Sequence, residues 1–326
     1  MKTRARARGG RAQHGAALLL AMIIMALVTT LTAGMVWQQA RAVQVEAAER
    51  ARGQAAWILR GALDWSRMVL REDLRAAQRR RPTFYTPLDA WATPLDESRL
   101  SSFLAADKDN NADSGPEAFI SGAIVDAQSR LNLRSIFDPA GKVLPAQAAA
   151  LQRLADLLGA PSDTAARLTL ALSAALFPQA DSDPAGTPLK PERLADLAWL
   201  GLDAAMLARL APYVELLPVA TPVNINTAPR EVLVAAIDGL DLGSAERLVQ
   251  SRQREPFTSP DGVQGVLGQA IKVDPLRAGV SSNWFEVSGR VRLEDRVVEE
   301  RSLLQREGDK VTVRRRERHS FEAAPR

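Results

Sequence analysis

Four oxygen-bearing side chains stand at alternate positions in the stretch ADKDNNADSG: Asp107, Asp109, Asn111 and Asp113. Carboxylate and amide oxygens in that rhythm resemble the first half of a calcium loop, because calcium is a hard cation that takes oxygen ligands. The second half is incomplete, since Ala112 stands where the turn glycine belongs and Ala118 where a bidentate Glu would close the shell. The stretch is therefore a candidate calcium site set against a plain polar loop, with Asp126 and Asp138 beside the next strand as further candidate ligands. The only two histidines, His14 and His319, lie near the two ends, and there is no cysteine. That excludes a Ser-His-Asp arrangement, a histidine metal site and thiol catalysis in the folded part. No Gly-rich phosphate loop appears, and the remaining carboxylates read as solvated faces. The sequence predicts no catalytic residue, no required cofactor and no enzyme.

The elements that would carry such residues begin with an anchor. From Ala16 to Trp37 no charge occurs, and a helix of that length would run roughly 33 Å, about one bilayer core. Lys2, Arg4, Arg6, Arg8 and Arg11 precede it with no acid among them. With those five set aside, the net charge of +4 becomes about −1 for the rest. The basic character is mostly a topology signal that keeps the N-terminus in the cytoplasm and sends the bulk across. A second basic cluster, Arg314, Arg315, Arg316 and Arg318, reads as a tail. The helix continues beyond the membrane, because Ala51, Ala55, Ile58, Ala62, Trp65 and Val69 recur at helical spacing and no Pro occurs before Pro82. Its apolar stripe needs a partner, and a sheet is the expected one.

Strand-like patterns occur at Phe119–Val125 and again from Asn283 onward, where Phe285, Val287, Val291 and Leu293 alternate. Between them, from about Pro139 to Val280, the sequence reads as successive helices, including KPERLADLAWLG. The predicted fold is α+β: a long N-terminal transmembrane helix packed on an antiparallel sheet, with a large inserted all-α domain. The expected boundaries are 1–15 leader, 16–37 membrane span and 38–81 helix continuation. An α/β domain occupies 82–138 and resumes at 281–313. The helical units fall at 139–220 and 221–280, and a basic tail at 314–326.

The segment Val223–Ser259 has the form of a helix-hairpin-helix, a SAM-like unit. Asn226 or Thr227 would cap its first helix, Gly239 would allow the turn, and Ala245 would let the second helix pack closely. DNA-binding versions grip a phosphate with the amides of a Gly-hydrophobic-Gly turn. Here Asp241 stands at the second glycine position, before Gly243, and Asp238 and Glu246 add negative charge. Those carboxylates would repel a phosphate, so the hairpin reads as structural and no nucleic acid is expected.

Taken together, the leader ending in Gly15, the uncharged helix from Ala16, the segment SGAIVDAQSRLNL and the segment TPVNINTAPREVL resemble the K-type minor pseudopilins of bacterial type II secretion systems. The resemblance spans nearly the whole chain. It implies a pilin-like α/β fold with a helical insertion, in the inner membrane with its bulk in the periplasm. It also implies cleavage by prepilin peptidase between Gly15 and Ala16, methylation of the new N-terminus, calcium binding, and assembly with I-type and J-type minor pseudopilins at the tip of a pseudopilus built from the major pseudopilin. Two positions depart from the general pilin pattern: Ala16 replaces the usual Phe or Met, and Leu20 replaces the Glu thought to neutralise the N-terminal ammonium of the subunit above. The absence of that Glu agrees with a tip position. The alternative class is a membrane-anchored DNA receptor of the competence type, which also carries an NINTA-like hairpin behind an anchor.

Overall fold

The computed structural model describes residues 14–79, 84–100, 118–178, 188–268, 271–293 and 296–322. Helix α1 (His14–Arg79) contains the uncharged run Ala16–Trp37 and its continuation in one element. Among the described residues it is the one helix long and apolar enough to cross a membrane. Up to Ala56 it forms a compact unit of its own, and the rest of the chain forms a second.

Within the second unit, α1 lies on a five-stranded sheet of order β1-β2-β7-β8-β9, antiparallel throughout. The strands are β1 (Leu95–Arg99), β2 (Ala118–Asp126), β7 (Trp284–Leu293), β8 (Arg296–Glu307) and β9 (Lys310–Glu322). Leu63 and Leu70 of α1 pack with Trp91, Ile124, Phe285, Leu304 and Val311. Full burial of each such side chain stabilises by about 1.5–3 kcal/mol. The stripe read from the sequence is rotated by about one residue. Of that stripe Ala55 is fully buried and Val69 packs against this core, while Trp65 is half exposed; the most buried positions beside it are Leu59, Leu63, Ser66, Leu70 and Leu74. Two apolar stripes run side by side here, and the leucine-rich one fits closest over the sheet. Close approach is possible because Gly122 and Gly289 pair directly across β2 and β7, and a Cβ on Gly289 would sit 3.0 Å from Leu59.

Between β2 and its partner β7 the chain leaves the sheet and builds the helices α2 (Pro145–Leu157), α3 (Thr164–Leu176), α4 (Ala204–Leu210), α5 (Arg230–Ala236), α6 (Leu242–Arg254) and α7 (Gly262–Leu267). Pro145 sits in the first turn of α2, where its missing N–H costs nothing. Leu133, Leu154, Leu168, Leu172, Leu197, Leu233 and Leu248 belong to a separate apolar core. Leu194–Leu200 is a 3-10 helix, where the sequence suggested an α-helix; Gly201 in the left-handed region ends it. Two parallel pairs of two residues each, β3 (Leu131–Asn132) with β4 (Val214–Glu215) and β5 (Val223–Asn224) with β6 (Ala278–Gly279), were not anticipated. Nor was edge strand β1.

The stretch 314–326, read as a basic tail, is strand β9 as far as Glu322. Its arginines have partners in the fold: Arg316 and Arg318 meet buried Glu300 on the adjoining strand, and Arg315 reaches buried Glu215. Like charges clustered in sequence looked solvated because their partners lie far away in the chain.

Candidate functional site

Four sequence candidates, Asp107, Asp109, Asn111 and Asp113, lie outside the described residues. Of their proposed helpers, Asp138 accepts from the amides of Ala140 and Lys142 in its own turn. Asp126 does something else. Strand β2 ends at Asp126, whose Oδ1 accepts from the Gln128 amide at 2.8 Å in a local turn. Its Oδ2 accepts from Asn224 Nδ2 at 2.8 Å, Thr227 Oγ1 at 2.7 Å and Ser282 Oγ at 2.5 Å. Four donors converging on one carboxylate make an internal junction and leave no open face for a metal. The carboxyl is almost fully buried, and burial pushes its pKa up against the opposing effect of Ser282, Thr227, Asn224 and Gln128.

The donors show why the segment VNINTA has its composition. Asn224 Nδ2 also reaches the Tyr85 carbonyl at 3.2 Å, and its Oδ1 accepts from the Asn226 amide. Asn226 exchanges two hydrogen bonds with the backbone of Phe257, beyond the far end of α6. Neither Asn226 nor Thr227 caps the following helix. Helix α5 starts after Pro229 without a side-chain cap, because both candidates are drawn into longer-range contacts. Arg252 of α6 donates to the Ile225 carbonyl, and burial lowers its pKa to about 10. The segment therefore locks the last helices to the end of β2 and the start of β7.

The hairpin turn of that unit is closed on itself. Gly239 adopts φ 76°, a conformation natural to glycine. Asp241 is the N-cap of α6: Oδ1 accepts from the Ser244 amide at 2.7 Å and Oδ2 from its hydroxyl at 3.2 Å. Gly243 lies within the first turn of the helix. A phosphate would seek those same amides, and the Asp241 carboxylate already occupies them. Asp238 pairs with Arg153 at 2.8 Å and Arg277 at 2.5 Å, and the Arg277 hydrogen bond holds its pKa low. Ala245 is fully buried, as close packing of the two helices requires.

One buried cation gave no signal in the sequence. Arg306 of β8 is 1% exposed, with its guanidinium 4.0 Å from the Tyr85 ring and 4.7 Å from that of Phe285. It donates to the Leu70 and Ser282 carbonyls and meets Asp73 at 3.3 Å. Leu70 and Asp73 are on α1, and Ser282 is a donor to Asp126, so Arg306 joins the helix to the junction. Its pKa is lowered by burial.

The remaining candidates lie on α1. Gly15 and Ala16 fall in its first turns, and Leu20 is exposed along with Leu18, Leu19, Ile23, Ile24 and Leu27. In the second unit Trp57, Trp65 and Met68 are 72%, 51% and 56% exposed. At helical pitch they fall within about 80° of one another, on the side away from Leu59, Leu63 and Leu70. Among the described residues these side chains give α1 an exposed apolar surface.

Residues 223–281, which hold the Asp126 donors Asn224 and Thr227 and the hairpin, match the family model for type II secretion system protein K. Over 92% of this chain and 90% of the relative, the sequence is 30% identical to type II secretion system protein K of Pseudomonas aeruginosa. The chain belongs to this family. It is also 30% identical to the protein of that name from Pectobacterium carotovorum, over 94% of this chain and 96% of that one. In fold it is similar to a chain of the crystal structure of the GspK-GspI-GspJ complex from the type 2 secretion system of enterotoxigenic Escherichia coli. That match has a TM-score of 0.63 and 19% identity, and covers 83% of this chain and 98% of the other. The relatives carry the name of a secretion-system component and not of an enzyme, and the apolar part of α1 suits a membrane anchor for such a component.

Proposed function

We propose that this protein is the tip subunit of a type II secretion pseudopilus, nucleating or capping the filament through subunit interfaces. In this reading prepilin peptidase cuts between Gly15 and Ala16. The span Ala16–Trp37 holds the protein in the inner membrane with the remainder in the periplasm, and I-type and J-type minor pseudopilins join it before the major pseudopilin. The observation that carries the reading is the outward stripe of Trp57, Trp65 and Met68 on α1. Exposed tryptophans in a row are costly in water and typical of the centre of an interface. The complex named for the similar Escherichia coli chain supports the choice of I and J partners. Leu20 supports the tip position, because a subunit with nothing above it needs no carboxylate there.

The test is co-purification of the full chain in mild detergent from a secreting strain. The I-type and J-type pseudopilins should come with the wild type, and Trp57→Ser with Trp65→Ser should lose most of both. Full retention by the double variant would remove the stripe from the account.

A further inference from the structure

A cleft of about 250 Å³ lies where the end of α3 meets strand β9. Its floor is apolar, with Leu216, Leu217 and Leu303 all buried. Its rim is cationic: Arg134, Lys190, Arg314 and Arg315 all line it, against one carboxylate, Glu192. The two consecutive arginines meet there because the pairing of β8 with β9 slips. Leu303 faces Arg315 but Leu304 faces Val313, so Arg314 is the extra residue of a bulge, a device that re-aims side chains at a strand edge.

The four cations are not equivalent. Arg315 is engaged internally with Glu215 and Glu317, and Arg314 with Gln305 and Glu307. Among the described residues, Arg134 and Lys190 have no carboxylate within ion-pair distance. The Arg134 guanidinium lies 4.3 Å from the Phe177 ring centre, which orients a planar fork suited to a carboxylate. Two cations with no described carboxylate partner, beside an apolar lining, call for a ligand that is acidic and apolar at adjacent positions.

We propose that this cleft binds an acidic polypeptide segment, its carboxylate taken by Arg134 and Lys190 and a neighbouring apolar side chain by the leucine floor. A uniformly anionic surface such as a lipid headgroup layer fits less well, because Glu192 lines the same rim and Glu307 and Glu317 hold Arg314 and Arg315 beside it. The edge position of β9 favours an extended segment, since among the described residues its outer backbone has no strand partner in the sheet. The site is independent of the tip reading and stands or falls separately.

The test uses the full chain in a nonionic detergent and a fluorescein-labelled peptide of alternating Glu and Leu, followed by anisotropy. The wild type should bind it, with affinity falling as salt rises. Arg134→Gln with Lys190→Gln should weaken binding about tenfold or more, while the melting temperature falls only by the small amount that loss of the Arg134–Phe177 contact accounts for. A peptide with Gln in place of Glu should also lose about tenfold. Equal binding by the double variant, or by the Gln peptide, would overturn the proposal. So would a short-chain phosphatidylglycerol that displaces the peptide from the wild type yet is not displaced by it, since the cleft would then be a lipid site.

Discussion

Leu20 and Asp126 are single carboxylate decisions made in opposite directions. At Leu20 the pilin pattern would place an acid in the anchor, and this chain places an apolar group. An uncompensated charge at a helix centre costs roughly 2.5–3.5 kcal/mol on insertion scales and less near an end. Leu20→Glu should therefore leave secretion unchanged or modestly lower in a strain whose chromosomal copy is deleted. Clearly improved secretion would mean that the position faces an ammonium, and the tip reading would fail. At Asp126 an acid is buried where apolar packing would be the default, because three side-chain donors from distant segments and one local amide need one acceptor. Asn can offer only one of its two terminal atoms as acceptor, so Asp126→Asn should cost about 1–3 kcal/mol in urea unfolding read by tryptophan fluorescence. The pH dependence has a definite sign. The unfolded carboxyl titrates near about 3.9, whereas burial raises the folded value, so above the unfolded value the folded state binds more protons. Wild-type stability then falls as pH rises through the window up to the folded pKa. Asn lacks this slope, and the penalty of the substitution should be larger near pH 4 than at neutrality.

Helices and strands were largely legible in this sequence, whereas their contacts were not. The alternation through Phe285, Val287, Val291 and Leu293 located β7, and the uncharged run located the anchor. The buried face of α1 was legible only in part, at Ala55 and Val69, because Ile58 and Trp65 fit helical spacing as well as Leu59 and Leu63 do, and spacing cannot tell which stripe a sheet will take. Strand β9 was hidden by its arginines, whose charge is matched only across the sheet. Of the residues expected in the hairpin turn, Gly239 has the positive φ of a turn, Asp241 caps the next helix and Gly243 lies inside that helix, while Asn226 and Thr227 find partners tens of residues away and not local caps. The glycine pair at the helix-sheet contact supplies an element-scale prediction. A Cβ on Gly122 would come within 2.6 Å of the Ser288 carbonyl oxygen, which is backbone and cannot turn aside. On Gly289 the obstacle is the mobile end of Leu59. Gly122→Ala should therefore destabilise by about 1–3 kcal/mol and Gly289→Ala by clearly less, as measured by thermal unfolding of the two variants side by side.

For the whole molecule, the design is a long helix held at one place by a sheet, with a helical unit tied back by buried polar groups. Asp126 and Arg306 connect α1, both parts of the sheet and the VNINTA segment, so the helical unit cannot swing freely on its two connections. Such a body suits a role in which a helix surface is presented to neighbours. The absence of cysteine makes that role directly testable, since one engineered thiol reports one position. Trp57→Cys in secreting cells, with single cysteines also placed in the I-type and J-type pseudopilins, should give disulfide or short-linker adducts with one or both partners. A tip subunit present once per filament should give none with a second copy of itself. Adducts between two copies of this chain, or none to either partner while the filament still assembles, would contradict the account.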